Sequence, residues 1–473
     1  MRVRVRVLAI ATCAALVVAA VGASTASARG LITGFTDNNI FDASAPTSAN
    51  RQQWLDRATA ARSKLIRITV DWRNSVRRKP KTPANPADSA YGFERLDQTV
   101  RMAKASGHEV LLTVHRAPDW AEGPNPPSNV QPGAWKPDPV QYGKFGQALA
   151  RRYSGNFRGL PRVHYFEVWT EPNLTQFLAP QWQLKKPFAP VRYRALLNNF
   201  YAGVHAVQSG ATVVGGATSP FGDSRKHQLY PDHPRMHPIA FLRTALCLNS
   251  EYKRAKGCNG EVRLDALSAH PLNIMNAPHY KPHSKDDSQV ANFSRVRQVL
   301  RAAERVQTVS GRHHELWVTE SGMLSDPPSP KGAPLQQHAR WIEESLHLLW
   351  KQGASVVLNL NIRDPAYDPH HPPSGQWTTA IYTHDGKPKP AFKAWRFPFV
   401  TDRKSKKRVK AWGKAPASGA LVIQQKSHGK WRTRKRLNVL AGQIFKPTLR
   451  VRGKAQLRAR VGKTTSLTWH QSG

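Results

Sequence analysis

Two glutamates stand in matching positions of this sequence. Glu171 follows the apolar run 165–169 and precedes Pro172 and Asn173, and Glu320 follows a second apolar run, 316–318. Proline and asparagine end the strand at Glu171, and Ser321 and Gly322 follow Glu320, so each carboxylate is expected at the rim where a strand stops. Cleavage of a glycosidic bond needs such a pair, because one acid protonates the leaving oxygen while a carboxylate attacks or supports the anomeric carbon. A lone glutamate in this position is more often a rim residue in a salt bridge, whereas two glutamates in matching positions favour a catalytic role.

The elements that must position this pair follow a βα rhythm between residues 30 and 400. The predicted strands are 31–36, 65–71, 109–115, 164–169, 212–217, 266–270, 315–319 and 355–361, and the predicted helices are 54–62, 93–105, 140–153, 192–208, 238–248, 293–308 and 336–351. Eight strands with helices between them predict an α/β fold, a (β/α)8 TIM barrel with the glutamates on strands four and seven. An open doubly wound sheet is the alternative, but no predicted strand leads into a Gly-rich phosphate loop.

Long loops follow several predicted strands, at 116–139, 221–234 and 363–376. Because the active sites of such barrels lie at the carboxyl ends of the strands, these loops are expected to form the walls of a cleft. The alternative interpretation is that each is a plain low-complexity linker.

The N-terminal 28 residues have the pattern of a secretory signal peptide. Arg2, Arg4 and Arg6 form a basic head, an apolar stretch covers 7–21, and the small residues 26–28 form a cleavage site. The apolar stretch is too short for a good membrane span, so no transmembrane segment is expected and an uncleaved anchor is the alternative. The sequence therefore predicts a secreted, extracellular protein with a catalytic domain over residues 29–400.

Residues 401–473 differ in composition from the rest of the chain. Short alternating segments separated by glycines predict a basic β-sandwich-like domain of five or six strands. This segment contains twenty lysines and arginines against one acidic residue, Asp402, and the whole chain has a formal charge of +41. Such an excess suggests attraction to anionic cell-wall polymers, although a merely solubilising face is the alternative. Nucleic acid is not expected as a partner, because the chain has a secretory leader and no recognised nucleic-acid motif.

The cysteines indicate an oxidising compartment. Cys13 leaves with the leader, and Cys247 and Cys258 remain as a pair around a short loop. A disulfide is the simple interpretation. A zinc site is disfavoured, because two thiols without a nearby histidine cluster do not complete a tetrahedral site.

The segments around Glu171 and Glu320 resemble those of clan A glycoside hydrolases, which carry Asn-Glu-Pro after strand four and a nucleophilic glutamate after strand seven. The likeness covers about residues 30–400 and is greatest to family 39 and family 5 type barrels of actinobacteria. It implies a retaining double displacement on a carbohydrate, with Glu171 as the acid/base and Glu320 as the nucleophile. No metal and no organic cofactor are expected.

The resemblance also implies substrate-binding residues. Arg67 matches an arginine that supports the nucleophile, with an ordinary ion pair at the core edge as the alternative. His115 and His270 close strands where relatives place sugar-binding or nucleophile-orienting groups, and exposed polar surface is the alternative for each.

This sequence departs from the family pattern at two positions. Thr170 replaces the usual asparagine that contacts the sugar 2-hydroxyl, and Asn359 stands where relatives carry a tryptophan beneath the sugar. Trp377, in the following loop, is the candidate replacement for that platform. These departures leave open a second function, a non-catalytic barrel that binds cell wall or polysaccharide. The two retained carboxylates argue against it.

Overall fold

The computed structural model describes residues 30–42, 45, 50–223, 234–258, 260–370 and 376–472. The predicted signal peptide, residues 224–233 and residues 371–375 lie outside the described residues. No helix in the described part of the chain is both long and apolar enough to cross a membrane.

Eight parallel strands close into a barrel, as the sequence predicts. They are β1 (Ile32–Thr36), β2 (Leu65–Asp71), β3 (Glu109–His115), β4 (Tyr165–Val168), β5 (Thr212–Thr218), β6 (Ala266–Ala269), β7 (Glu315–Ser321) and β8 (Ala354–Leu360). Each strand pairs with its neighbours in chain order, and β8 closes the barrel on β1. Helices cover the outer side of these strands, so both strand faces are buried and the strand sequences are nearly continuous apolar runs.

Eight α-helices accompany the strands in the described residues. They are α1 (Arg51–Ala60), α2 (Glu94–Ala105), α3 (Pro139–Arg152), α4 (Ala189–His205), α5 (Pro238–Ala245), α6 (Ser294–Arg305), α7 (Leu335–Gln352) and α8 (Pro390–Arg396). Seven of them correspond to predicted helices. The sequence analysis missed α8, which spans only seven residues and packs against α7.

The interior of the barrel is layered. Seven side chains fill its lower part with an apolar cluster: Leu65, Leu111, Val214, Ala266, Trp317, Val356 and Leu358. Alternate residues of a strand point to the same face, so the next inward positions toward the carboxyl ends include Arg67, Thr113, Glu167 and Ser268. All four are buried. A polar layer therefore lies on an apolar floor, directly below the mouth of the barrel.

The loop at 116–139 is an ordered wall of that mouth. It contains a short 3-10 helix, Asp119–Ala121, and the Trp135 backbone N–H donates to Glu122 Oε1 at 2.8 Å. The Lys136 backbone N–H donates to the Ala179 carbonyl at 2.9 Å, which fastens this loop to the one after β4. This loop is not a plain linker.

The chain from Phe399 onward forms two antiparallel sheets around a second apolar cluster. The strands of this C-terminal β domain are β9 (Phe399–Ser405), β10 (Arg408–Lys414), β11 (Gly419–Ser427), β12 (Lys430–Val439), β13 (Ile444–Phe445), β14 (Thr448–Arg450), β15 (Ala455–Val461), β16 (Thr464–Thr465) and β17 (Trp469–Gln471). The expectation of five or six strands was wrong for residues 399–472. Four of the nine strands have only two or three residues, too few for an alternating pattern to show.

The β domain packs directly on the barrel. Lys414 Nζ donates to Thr33 Oγ1 at 2.7 Å, and the Trp412 ring lies 5.0 Å from the ring of His347 on α7. The Phe399 backbone N–H donates to Glu343 Oε1 at 3.3 Å. The division of the chain at residue 400 stays a proposal.

Cys247 and Cys258 form a disulfide, as predicted, with their Cα atoms 5.7 Å apart. It links the end of α5 to the loop before β6, and the guanidinium of Arg194 contacts both sulfur atoms.

Candidate active site

Arg67 lies at the centre of the polar layer, and its side chain is only 1% exposed. Its Nε donates to Glu167 Oε2 at 2.8 Å and to Thr113 Oγ1 at 2.7 Å. Its Nη1 donates to Glu320 Oε1 at 2.7 Å, and its Nη2 donates to Thr170 Oγ1 at 3.3 Å. Burial lowers the pKa of Arg67, but the carboxylates of Glu167 and Glu320 outweigh it and raise the pKa overall. The guanidinium therefore stays charged and joins two carboxylates.

Glu167 is the site residue that sequence reasoning missed. Its side chain is fully buried on β4 and accepts hydrogen bonds from Thr113 Oγ1 and Ser268 Oγ, each at 2.8 Å, as well as from Arg67. Burial raises the pKa of Glu167, but Arg67, His270 and the hydroxyls of Thr319 and Thr113 outweigh it and lower the pKa overall. The sequence did offer a signal, since Glu167 is a charged residue inside an otherwise apolar strand. A carboxylate buried in this way needs hydrogen-bond or charged partners nearby.

Glu171 and Glu320 meet at the mouth, with His270 between them. One ligand-type atom from each of the three residues lies within 4.8 Å of those of the other two. His270 Nδ1 is 3.2 Å from Glu171 Oε1 and 3.7 Å from Glu320 Oε2. Its Nε2 is 3.1 Å from Thr319 Oγ1. Burial lowers the pKa of His270, but the two carboxylates outweigh it and raise the pKa, so the ring can carry a proton between them.

The backbone around Glu171 is strained in a way that projects its side chain. Trp169 and Glu171 have φ values of 67° and 40°, in the left-handed region that non-glycine residues rarely adopt. Hydrogen bonds hold this turn, from the Trp169 N–H to the Val114 carbonyl and from the Glu171 N–H to the Ala217 carbonyl, each at 2.8 Å. Such conformations cost about 1–3 kcal/mol each and are concentrated at functional sites.

Comparison with known proteins agrees with this fold. Residues 25–196 match the family model described as Cellulase (glycosyl hydrolase family 5). The chain is a glycoside hydrolase with the closed eight-stranded barrel of clan A. Its substrate is accordingly a carbohydrate. None of the curated proteins compared with this glycosidase matches it in sequence.

Solved structures share the fold of this glycosidase. A family 39 glycoside hydrolase from the gut symbiont Bacteroides cellulosilyticus WH2 has a TM-score of 0.54 at 17% identity, over 90% of this chain and 81% of that chain. A glucosidase from Croceicoccus marinus has a TM-score of 0.52 at 12% identity, over 92% of this chain and 97% of that chain. At these identities the similarity is one of fold.

Two predicted substrate-binding residues lie at the rim of the glycosidase barrel. His115 ends β3, with its ring 6.2 Å from that of Phe177. Burial and the neighbouring cations of Arg116 and Arg67 lower the pKa of His115 to about 3, so the ring is neutral. Trp377 is half-buried, and its carbonyl accepts a hydrogen bond from Asn361 Nδ2 at 2.7 Å. No hydrogen bond joins His115 or Trp377 to Glu171 or Glu320, all four of which are described.

Asn359 is not a substrate platform. Its side chain is buried and its Nδ2 donates to three carbonyl oxygens, those of Leu360, Asn361 and Thr379, at 3.0 to 3.1 Å. The amide fastens β8 to the segment that follows Trp377. Asn359 therefore supports the loop that carries Trp377, the candidate platform.

Glu171, His270 and Glu320 also have the ligand types that bind divalent metals. Arg67 opposes this use, because its guanidinium already occupies one oxygen of Glu320 and repels a second positive charge nearby. The expectation that the glycosidase uses no metal stays a prediction.

Proposed function

We propose that this glycosidase is secreted and hydrolyses an O-glycosidic bond of an extracellular polysaccharide or glycoside with retention of anomeric configuration. The supporting observation is the short distance, within 4.8 Å, between carboxylate oxygens of Glu171 and Glu320. Retaining glycosidases hold their two carboxyl groups about 5–5.5 Å apart, whereas inverting enzymes need roughly 6.5–9.5 Å to admit a water molecule. The spacing at this site is on the short side and supports the retaining mechanism.

Glu320 is the proposed nucleophile because basic side chains hold its carboxylate from two sides. The Arg67 guanidinium donates to its Oε1 at 2.7 Å, and His270 Nδ1 lies 3.7 Å from its Oε2. Glu167 holds Arg67 in this position from below. The nucleophile is therefore aimed by a buried residue that does not itself meet the substrate.

Glu171 is the proposed acid/base. Arg67 makes no ion pair with it, and its hydrogen-bond partner among the described side chains is His270. In the first step Glu171 protonates the leaving oxygen while Glu320 forms an ester with the sugar. Glu171 is left as a carboxylate, and in the second step it takes a proton from the water that attacks the sugar and displaces Glu320, which returns both groups to their starting states.

Three further residues are proposed to bind the sugar. Thr170 Oγ1 accepts from Arg67, which leaves its own hydroxyl proton to donate to the sugar 2-hydroxyl. His115 is neutral and half-buried at the end of β3, and the exposed part of its ring is proposed to contact a substrate hydroxyl. Trp377 is proposed as the platform beneath the ring.

Substitutions at the two glutamates test this mechanism. Glu320→Gln should abolish turnover without unfolding the protein. Glu171→Ala should spare aryl glycosides with good leaving groups far more than natural glycosides, because the former need little protonation. The control is Glu261→Gln, an exposed glutamate whose loss should leave activity unchanged. Proton NMR of the first-formed product should show the anomer of the substrate.

Inversion of the anomeric centre would contradict the retaining mechanism. Equal losses on both substrate types in Glu171→Ala would contradict the assigned roles. Polysaccharide binding without turnover by the unaltered protein would favour the non-catalytic alternative.

The cell-wall association of this glycosidase is likewise a proposal. Its support is the excess of cations after residue 401, where twenty lysines and arginines face a single aspartate. The leader pattern and the disulfide are compatible with secretion.

A further inference from the structure

One sheet of the C-terminal β domain has an ordered outer face. Its strands run in the order β12, β11, β15, β16, with β17 also paired to β15. Leu421 and Ile423 on β11 and Leu457 and Ala459 on β15 are buried in the domain core. Because side chains alternate along a strand, Gln424 and Lys426 on β11 and Gln456 and Arg458 on β15 point to the other side of the sheet. Together with Trp431 on β12 and His470 on β17, they form what we call the outer face.

Strand register aligns these side chains in rows. Trp431 lies opposite Lys426, and His470 lies opposite Gln456. Since Gln425 pairs with Leu457, Lys426 and Gln456 are neighbours across β11 and β15. The row therefore crosses four strands, a length of about 14 Å at roughly 4.8 Å per strand.

Arg458 is held rigidly on this face. Its guanidinium carbon lies 4.1 Å from the centre of the Trp431 ring, and its Nε donates to Gln424 Oε1 at 2.9 Å. No hydrogen bond or ion pair uses the two terminal nitrogens of Arg458 within the described part of the chain. A planar guanidinium fixed in this way presents two parallel N–H donors, the geometry that pairs with a carboxylate. Little side-chain entropy remains to be lost when such an anion binds.

An open groove adjoins the row. It has a volume of about 720 Å³, and its lining includes Lys426, Lys454, Gln456, His428 and His470. The groove thus combines positive charge with amide and imidazole groups that can pair with hydroxyls.

The face has no acidic residue to neutralise its cations. The only acidic residue after position 401 is Asp402, which lies against Lys351 of α7 at the barrel junction. A merely solubilising surface would need neither a clamped guanidinium nor a groove beside it.

We propose that the outer face and its groove bind an acidic polysaccharide through carboxylates on its sugar units. Arg458 pairs with one carboxylate, Lys426 and Lys454 attract others, and Gln456 and His470 contact hydroxyls. This inference rests on the proposed carbohydrate function and on the proposed attraction to anionic polymers. The inference goes beyond a general attraction between the basic β domain and anionic polymers, because it assigns the binding to one site on that domain, outside the barrel.

Binding of full-length protein to polygalacturonate oligosaccharides, measured by calorimetry at about 0.15 M salt, tests the site. The fully methyl-esterified oligosaccharide is the matched probe, since it keeps the backbone and loses the charge. Arg458→Lys keeps the charge and removes the two-pronged donor, and we expect its Kd to rise at least tenfold. Arg450→Lys, an exposed arginine on the other sheet, is the matched variant and should stay within twofold of the original protein. Both variants should turn over a small aryl glycoside at the unaltered rate.

A second pair covers the case in which Arg458→Lys disturbs the domain. Lys454→Gln lies in the groove and Lys463→Gln outside it, and both residues are exposed. Only the first should weaken binding. Trp431→Ala should weaken it as well, because the guanidinium loses its support.

Several results would overturn the proposal. They are equal losses in Arg450→Lys and Arg458→Lys, equal binding of the methyl ester, equal binding of inorganic polyphosphate of matched charge, or no binding of polygalacturonate. Turnover of a glycoside without binding of polygalacturonate would rule out the proposed site on the β domain and leave the proposed catalysis intact. Binding of polygalacturonate through Arg458 without turnover of any glycoside would rule out the proposed catalysis and support the proposed binding site.

Discussion

Glu167→Gln removes one charge from the buried layer and changes almost no volume. Glu167 is ionised and accepts hydrogen bonds from Arg67, Thr113 and Ser268, so a glutamine must place an amide N–H against at least one donor. Removing one partner of a buried ion pair typically costs about 3–5 kcal/mol of stability. Arg67 then keeps one ion pair, with Glu320, beside its hydrogen bonds to Thr113 and Thr170, and its guanidinium should shift relative to the Glu320 carboxylate.

For activity, this shift in the position of Arg67 should lower kcat by about 10- to 100-fold, equivalent to roughly 1.4–2.7 kcal/mol of transition-state stabilisation. KM should change little, because Glu167 is fully buried and does not meet the substrate. Steady-state kinetics on an aryl glycoside and thermal unfolding measure the two effects separately.

The chain offers a matched control in Glu343. It is fully buried on α7 and lies 2.7 Å from Arg340, but it is remote from the barrel interior. Burial outweighs the Arg340 guanidinium and raises the pKa of Glu343 to about 8, so this carboxyl carries a proton at pH 7. Glu343→Gln should therefore change kcat little and destabilise the protein less than Glu167→Gln. Unchanged kcat in Glu167→Gln, or equal kcat losses in both variants, would refute the positioning role of Glu167.

Four other predictions follow from the same structure. Thr170→Val keeps the shape and loses the hydroxyl, so kcat/KM should fall about tenfold, the equivalent of one hydrogen bond; an unchanged value would exclude the sugar contact. Trp377→Ala should raise KM with little change in kcat if the ring is the platform. The Cys247–Cys258 disulfide should make the intact mass about 2 Da lower than after reduction, and Cys247→Ser should lower stability by roughly 3 kcal/mol. The folded-state pKa of Glu343 lies above its unfolded value of 4.5, so its stabilising contribution should decline as pH rises from about 4.5 to 8, and thermal midpoints of Glu343→Gln should lack that decline.

The barrel strands were predictable because burial on both faces gives each one a continuous apolar run. All eight predicted strands lie within two residues of the observed bounds at each end. The helix α8 and the short strands of the β domain were missed because two to seven residues are too few to show a period. Their positions depend on packing against α7 and on pairing with longer neighbours.

The meeting of Glu171 and Glu320 at the mouth was predictable for a different reason, since each glutamate lies at the carboxyl end of a strand whose number in the barrel could be counted. The network below it was not. Glu167 depends on Arg67 from β2, Thr113 from β3 and Ser268 from β6, residues 54 to 101 positions away in the chain. Such partners become visible only when closure of the barrel brings β2, β3 and β6 around β4. The sequence showed that a charge lay inside a strand, but it could not show what neutralised that charge.

The layered interior explains why an arginine occupies the centre of this site. Below Arg67 the floor is apolar, so no water reaches the guanidinium from that side, and its donors must all find protein acceptors. Three of its nitrogens point in three directions, to Glu167, to Glu320 and to Thr170. A lysine ammonium is a single point and could not join all three. The planar fork thus holds Glu320, the proposed nucleophile, relative to the segment that ends at Glu171, because Thr170 and Glu167 both belong to that segment. This one side chain, as well as the strands, therefore helps to set the distance between the Glu171 and Glu320 carboxylates.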